Sequence, residues 1–178
     1  MQTQKTDAIR PNRIWRFDPA YTTVEFSVRN FWYTVRGHFR TLEGSMVLDE
    51  SDPSGSSVLA KINARSIDTG NKRRDAHLVA ADFLDADNFP DIEFRSTRVA
   101  RGKERDSLDL EGNLTFKGKS TTIALAVNEM DRSRSPSGEE FVYYSATTEL
   151  DRFDLGIKYG RGIIGRKVKV TINVQASA

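Results

Sequence analysis

The sequence predicts an all-β protein, an eight-stranded antiparallel up-and-down barrel with one short helix. Three observations carry this: period-two alternation that recurs along the chain, short turn-rich connections between the alternating runs, and a single segment with helical spacing.

The runs follow in order. Val24, Phe26 and Val28 alternate with Glu25, Ser27 and Arg29, as a half-buried strand requires. In the next run Val35 and Phe39 keep one phase while Leu42, Met46 and Leu48 keep the other. The slip near Arg40 and Thr41 predicts a β-bulge that bends a long strand, and Gly37 and Gly44 fit the same bending. Val58, Ala60 and Ile62 form a third run, Ile92 and Phe94 a fourth, and Leu108, Leu110, Leu114 and Phe116 a fifth. Ile123, Leu125 and Val127 follow, then Phe141 and Tyr143, and finally Val168, Val170, Ile172 and Val174. Turns stand between them at Asp52-Pro53-Ser54-Gly55, Lys117-Gly118-Lys119 and Ser135-Pro136-Ser137-Gly138. Their shortness makes neighbouring strands antiparallel. The helix is expected after Asn71, a side chain suited to an N-cap, over Lys72 to Ala81 and ending before Phe83.

Composition bounds the function. The chain has 178 residues, enough for one well-buried domain, here read as 13–178 behind a flexible polar segment at 1–12. Its 27 Lys and Arg are offset by 25 Asp and Glu, so no concentrated basic surface invites nucleic acid. With no cysteine there is no thiolate nucleophile and no cysteine metal site. No stretch has the roughly 20 apolar residues a spanning helix needs. The polar start carries no apolar run of signal-peptide length, which points to a cytoplasmic protein without an integral membrane segment.

An eight-stranded barrel either fills its interior with side chains or holds one small ligand. Here the inward parity is apolar throughout, with aromatics at Phe26, Phe39, Phe94 and Phe116. Alternation cannot distinguish a packed core from a lined tunnel.

Several segments together resemble the YceI-like family: Phe17-Asp18-Pro19-Ala20 running into Val24 to Arg29; Val35-Arg36-Gly37-His38-Phe39; Ser66 to Asn71; and Arg74-Asp75-Ala76-His77-Leu78. They continue with Asp82-Phe83-Leu84-Asp85, Phe89 to Thr97, Gly112 to Gly118 and Phe153-Asp154-Leu155-Gly156-Ile157. Each is weak alone; their order and spacing from Trp15 to Val174 are specific. The resemblance implies a lipocalin-like barrel that binds polyisoprenoid or other long-chain lipid, a non-enzymatic carrier, store or buffer. Two departures stand out. The family pattern usually has His where this chain has Asn30, and many members carry secretion signals.

On that reading Val24, Phe26, Val28, Phe39, Ile92, Phe94, Leu114, Phe116, Ile123, Leu125 and Tyr143 line the tunnel, with Trp32 at its entrance. Arg161 and Arg166 are candidate headgroup contacts. The bound species is a polyisoprenoid or isoprenoid quinone-type lipid, with no other cofactor.

Other motifs fail on context. Gly112 to Ser120 ends like a phosphate loop but sits between strands, and Gly160, Gly162 and Gly165 precede a strand, whereas phosphate cradles need a helix N-terminus. Asp85-Ala86-Asp87-Asn88 begins like a calcium loop but lacks its turn glycine. His38 shares parity with Arg36 and Arg40, and two histidines make no zinc site. Arg74, Asp75 and His77 are expected to pin the helix across a barrel end as a structural polar cluster, Arg74 pairing with Asp82 or Asp85. Two rival readings use the same residues differently. One is an enzyme acting on an isoprenoid or quinone precursor through Arg74, Asp75 and His77. The other is a filled-barrel interaction or stress-response module, a homodimer anchored by Trp32 and Tyr33.

Overall fold

The computed structural model describes residues 13–178, so the segment expected to be flexible, 1–12, lies outside the described residues. The strands are β1 (Arg13–Phe17), β2 (Thr23–Asn30), β3 (Thr34–Phe39), β4 (Leu42–Leu48), β5 (Ser57–Asn63), β6 (Ile67–Asp68), β7 (Asp91–Arg101), β8 (Ser107–Phe116), β9 (Lys119–Arg134), β10 (Glu140–Asp151) and β11 (Ile164–Ser177). The one α-helix, α1, spans Lys72–Leu78.

All pairings are antiparallel, and eight strands close a ring in the order β1-β4-β5-β7-β8-β9-β10-β11. The pairs Arg16↔Ser177 and Phe17↔Ala176 seal it. The long β11 pairs with β1 at its C-terminal end and with β2 along the rest. β2, β3 and β6 thus continue the barrel wall beyond β1, β4 and β5, so each of the first three strand paths is broken in two.

One of these breaks corrects an expectation. The parity slip at Arg40 and Thr41 is a gap between β3 and β4, not a bulge. Both residues leave the ladder for the turn that joins β5 to β6: the Arg40 amide donates to the Ser66 carbonyl at 3.0 Å and the Thr41 amide to Ser66 Oγ at 3.1 Å. The phase changes because the neighbouring strand changes, from β6 beside Phe39 to β5 beside Leu42. Bulges occur elsewhere, at Thr97 in β7 and at Met130 in β9, each an extra residue skipped by its partner strand.

The second correction concerns β10. Val142, Tyr144 and Ala146 are buried, so Phe141 and Tyr143 do not carry the inward phase. Phe141, Val142, Tyr143 and Tyr144 are all apolar or aromatic, and a run without polar residues contains no phase to read.

Asn71 caps the helix as expected, its side chain accepting from the amides of Arg73 at 3.1 Å and Arg74 at 3.0 Å. The helix stops at Leu78, short of the expected Ala81. The chain then folds back, the amides of Leu84 and Ala86 donating to the carbonyls of Leu78 and Val79. This buries Phe83, Leu84 and Ala86.

The core divides along the barrel axis. One cluster, around Trp15, Met46, Val99, Leu110 and Val142, lies away from the helix. The other, around Ala64, Ile67, Leu84, Ile92 and Phe116, lies beneath it. Among the described residues no helix is long and apolar enough to cross a membrane.

Candidate functional site: an apolar cavity along the barrel

Between the two clusters the barrel is hollow. The centre of a water-sized sphere moves freely through about 290 Å³ of its interior. A single water requires only about 10–15 Å³ by that measure, so this is not a packing void. The wall is apolar except for Ser56, Tyr144, Thr148 and Arg152. An apolar space walled along the barrel offers dispersion and desolvation to a ligand and few polar contacts.

Glycine and phenylalanine share the wall unequally. An added Cβ at Gly37 meets the ring of Phe26 at 2.6 Å, at Gly44 the ring of Phe17 at 2.2 Å, and at Gly112 the ring of Phe94 at 2.4 Å. Each ring lies across the bare backbone of a neighbouring strand. These glycines make room for side chains, which explains why they interrupt apolar runs.

At the end away from the helix a polar network borders the cavity. The Tyr144 hydroxyl donates to Glu129 at 2.8 Å, and Arg132 donates to Glu129 at 3.1 Å and to Glu50 at 2.6 Å. Burial pushes the Glu129 carboxyl up, but the hydrogen bonds from Arg132 and Tyr144 outweigh it and hold the group below its ordinary range. Burial and the neighbouring carboxylate raise the Tyr144 hydroxyl above the usual phenol range. Arg132 also lies 5.8 Å from the ring of Trp15, with Arg13 at 5.4 Å.

At the helix end the wall contains a buried cation. Arg152 is 3% exposed and donates only to main-chain carbonyls: Gly165 at 2.8 Å, Ile164 at 2.8 Å, Ile157 at 2.9 Å and Tyr159 at 2.7 Å. It staples the 152–163 loop to the start of β11, and desolvation lowers its pKa. Phe153 beside it is surrounded by the guanidinium groups of Arg152, Arg161 and Arg166, at 4.8, 5.1 and 4.8 Å from the ring centroid. An aromatic triad of His77, Phe83 and Tyr159, with centroids 5.0 to 5.1 Å apart, joins this loop to the segment after α1.

The tunnel residues expected from sequence all stand in the wall except Tyr143 and Trp32. Tyr144 takes the place assigned to Tyr143. Trp32 is 84% exposed at the β2–β3 turn, outside the cavity. Of the two candidate headgroup contacts, Arg166 already pairs with Asp151 at 2.5 Å, while Arg161 is exposed and in no ion pair among the described residues. Arg152 was missed, because the wrong phase of β10 turned it outward. Counted from Val142, Tyr144, Ala146, Thr148 and Leu150, it is the next inward position.

Arg74 and Asp75 do act together, but on Thr69. Asp75 accepts from its amide at 3.0 Å, and Arg74 donates to its Oγ1 at 2.7 Å and its carbonyl at 2.9 Å. The expected pairing of Arg74 with Asp82 or Asp85 does not form. His77 stands apart from both, 3.4 Å from Asp82. Among the described residues no group of three His, Asp or Glu is arranged to hold a metal ion.

With this geometry the chain can be compared with known proteins. The YceI-like domain pattern matches residues 15–176. The chain belongs to the YceI-like family. It is 33% identical to Protein YceI of Salmonella arizonae over 153 residues, which is 85% of this chain and 79% of that protein. Among solved structures, Burkholderia cenocepacia BcnA superposes with a TM-score of 0.81 at 18% identity, covering 89% of this chain and 98% of BcnA. A polyisoprenoid binding domain from Saccharophagus degradans, implicated in plant cell wall breakdown, gives a TM-score of 0.67 at 14% identity, covering 92% and 98%. At those identities the likeness speaks for the YceI-like barrel alone.

Proposed function

We propose that this YceI-like chain is a binding protein that houses one long-chain isoprenoid lipid, a polyprenyl or isoprenoid quinone-type species, as carrier, store or buffer. The observation that carries the reading is the apolar cavity running between the two ends of the barrel. The kinship with a barrel described as a polyisoprenoid binding domain supports it. Each buried methylene is worth roughly 0.8 kcal/mol, so a chain of about 40 carbons naively exceeds the roughly 20 kcal/mol ceiling of non-covalent binding. Affinity is therefore limited by ordering the chain and by fit. An apolar wall discriminates poorly between chain lengths, since one methylene changes little. Selectivity falls to the few polar groups at the ends. Arg161 is the better placed of the two headgroup candidates, because Asp151 already answers Arg166.

The rival enzymatic reading loses ground on geometry, since Arg74 and Asp75 both bind Thr69, while His77 hydrogen-bonds neither of them and faces Asp82 instead. The deciding experiment is mass spectrometry of an organic extract of the purified protein, with the native mass of the intact complex. A stoichiometric polyprenyl species is expected. A protein that is empty and also refuses added polyprenol overturns the proposal.

A further inference from the structure

The β2–β3 turn exposes three consecutive aromatic side chains: Phe31 is 63%, Trp32 84% and Tyr33 55% exposed. Phe31 and Trp32 stack edge to face at 4.7 Å, and the turn is held by the Asn30 amide donating to the Tyr33 carbonyl at 2.7 Å. Asn30 is paired with Ile164, and Ile163, one residue beyond that pair, is 60% exposed. The aromatic turn therefore lies beside the 152–163 loop, at the barrel end where Leu155, Ile157 and Ile164 line the cavity. Exposed Arg29, Lys158 and Arg161 flank the same end, and none is in an ion pair among the described residues. The acids nearby are Asp151, which is paired with Arg166, exposed Asp154, and Asp82, which faces His77 at 3.4 Å beside Tyr159.

We propose that this end of the barrel docks on the surface of a lipid bilayer bearing anionic headgroups. Phe31, Trp32, Tyr33 and Ile163 enter the interface, and Arg29, Lys158 and Arg161 meet the headgroups. Trp and Tyr suit this boundary because an apolar ring body and a polar edge match its two sides. Cations beside an apolar knuckle add attraction to anionic lipid that fades with salt. Three successive exposed aromatics beside exposed Ile163 gather more apolar surface in one place than the single exposed side chains elsewhere, such as Ile14, Tyr21 and Met130, and call for a partner; positive charge without an ion-pair partner around them matches an anionic membrane. The reading rests on the lipid-binding proposal for its purpose: docked this way, the cavity end faces the membrane that supplies or receives the lipid.

The test is flotation with vesicles of mixed phosphatidylglycerol and phosphatidylcholine, with pure phosphatidylcholine as comparison. The protein is expected to float with the anionic vesicles and to be released by salt. Trp15 is buried and Trp32 exposed, so a blue shift of tryptophan emission on adding vesicles reports Trp32 entering lipid. Trp32→Ser combined with Phe31→Ser, and separately Lys158→Glu combined with Arg161→Glu, should each weaken binding about tenfold or more. Both pairs are exposed, and circular dichroism checks that the barrel persists. A wild-type protein that ignores anionic vesicles overturns the inference, as does a Trp32→Ser variant that floats equally well. So does a concentration-dependent doubling of mass that Trp32→Ser abolishes without any vesicle binding, which would assign the patch to a second copy. Vesicle binding is read without cargo. A lipid-loaded protein that ignores vesicles therefore overturns only this inference, and a vesicle-bound protein that refuses polyprenol overturns only the carrier proposal.

Discussion

The Tyr144 hydroxyl points from the cavity wall to Glu129, 2.8 Å away, and so ties the apolar interior to the ion pairs of Arg132 with Glu129 and Glu50. Removing the hydroxyl by Tyr144→Phe leaves the ring in the wall and takes one donor from a half-buried carboxylate. The expected cost is about 1 kcal/mol, read by urea denaturation at neutral pH.

The same pair sets a pH dependence. Glu129 has a depressed pKa in the folded state, so its contribution is present above its unfolded value, about 4.3, and is lost as pH falls through the folded pKa. Tyr144 has a raised pKa, so its contribution is present below its unfolded value, about 10, and is lost as pH rises through the folded pKa. Tyr144→Phe should therefore flatten the alkaline limb of the stability profile, measured by thermal melts across the pH range. An unchanged alkaline limb would contradict this.

Arg152 satisfies four carbonyls at once, and no neutral side chain of its size can replace it. Arg152→Met keeps much of the volume but orphans the carbonyls of Ile157, Tyr159, Ile164 and Gly165. The expected loss is about 2–4 kcal/mol, with hydrogen exchange rising first across the 153–164 segment. Exchange that rises evenly over the whole barrel would deny the loop its dependence on this one side chain.

Cavity filling separates binding from folding. Leu114→Trp or Ile123→Trp places an indole in the tunnel, at a cost of about 1–3 kcal/mol if the wall must shift. Polyprenol uptake should fall about tenfold or more while circular dichroism still reports the barrel. Undiminished uptake would remove these residues from the site.

Gly112 tests the packing of ring over glycine. A methyl at this position meets Phe94 Cζ at 2.4 Å and the Arg95 carbonyl oxygen at 2.5 Å. Gly112→Ala should destabilise by about 2–3 kcal/mol. Adding Phe94→Leu should relieve only part of this, since the backbone oxygen stays. The double-mutant cycle measures the share due to the ring.

The all-β class, the helix and most of the wall were legible because period-two alternation and an Asn N-cap are local signals. Val24, Phe26 and Val28 are separated by polar residues, so their phase is unambiguous, and the same holds for Leu110, Leu114 and Phe116. The β10 run from Phe141 to Tyr144 is apolar on both faces, and nothing local told Tyr143 from Tyr144. Arg152 was hidden by that same ambiguity. The gap at Arg40 and Thr41 left a visible parity slip, but whether a slip means a bulge or a change of partner depends on residues distant in sequence, here Ser66.

The sequence by itself determined which residues face inward wherever polar and apolar positions alternate, where the helix begins, and to which family the chain belongs. Only the tertiary structure decided that the barrel is hollow, because the same apolar parity fits a packed core equally well. The volume left inside depends on how glycines and rings from neighbouring strands interdigitate. It decided too that Arg152 is buried, since its four carbonyl partners converge only when the 152–163 loop folds back on β11. And it gathered Phe31, Trp32, Tyr33 and Ile163 at one end of the cavity, a meeting created by the pairing of β2 with β11 across more than half the chain.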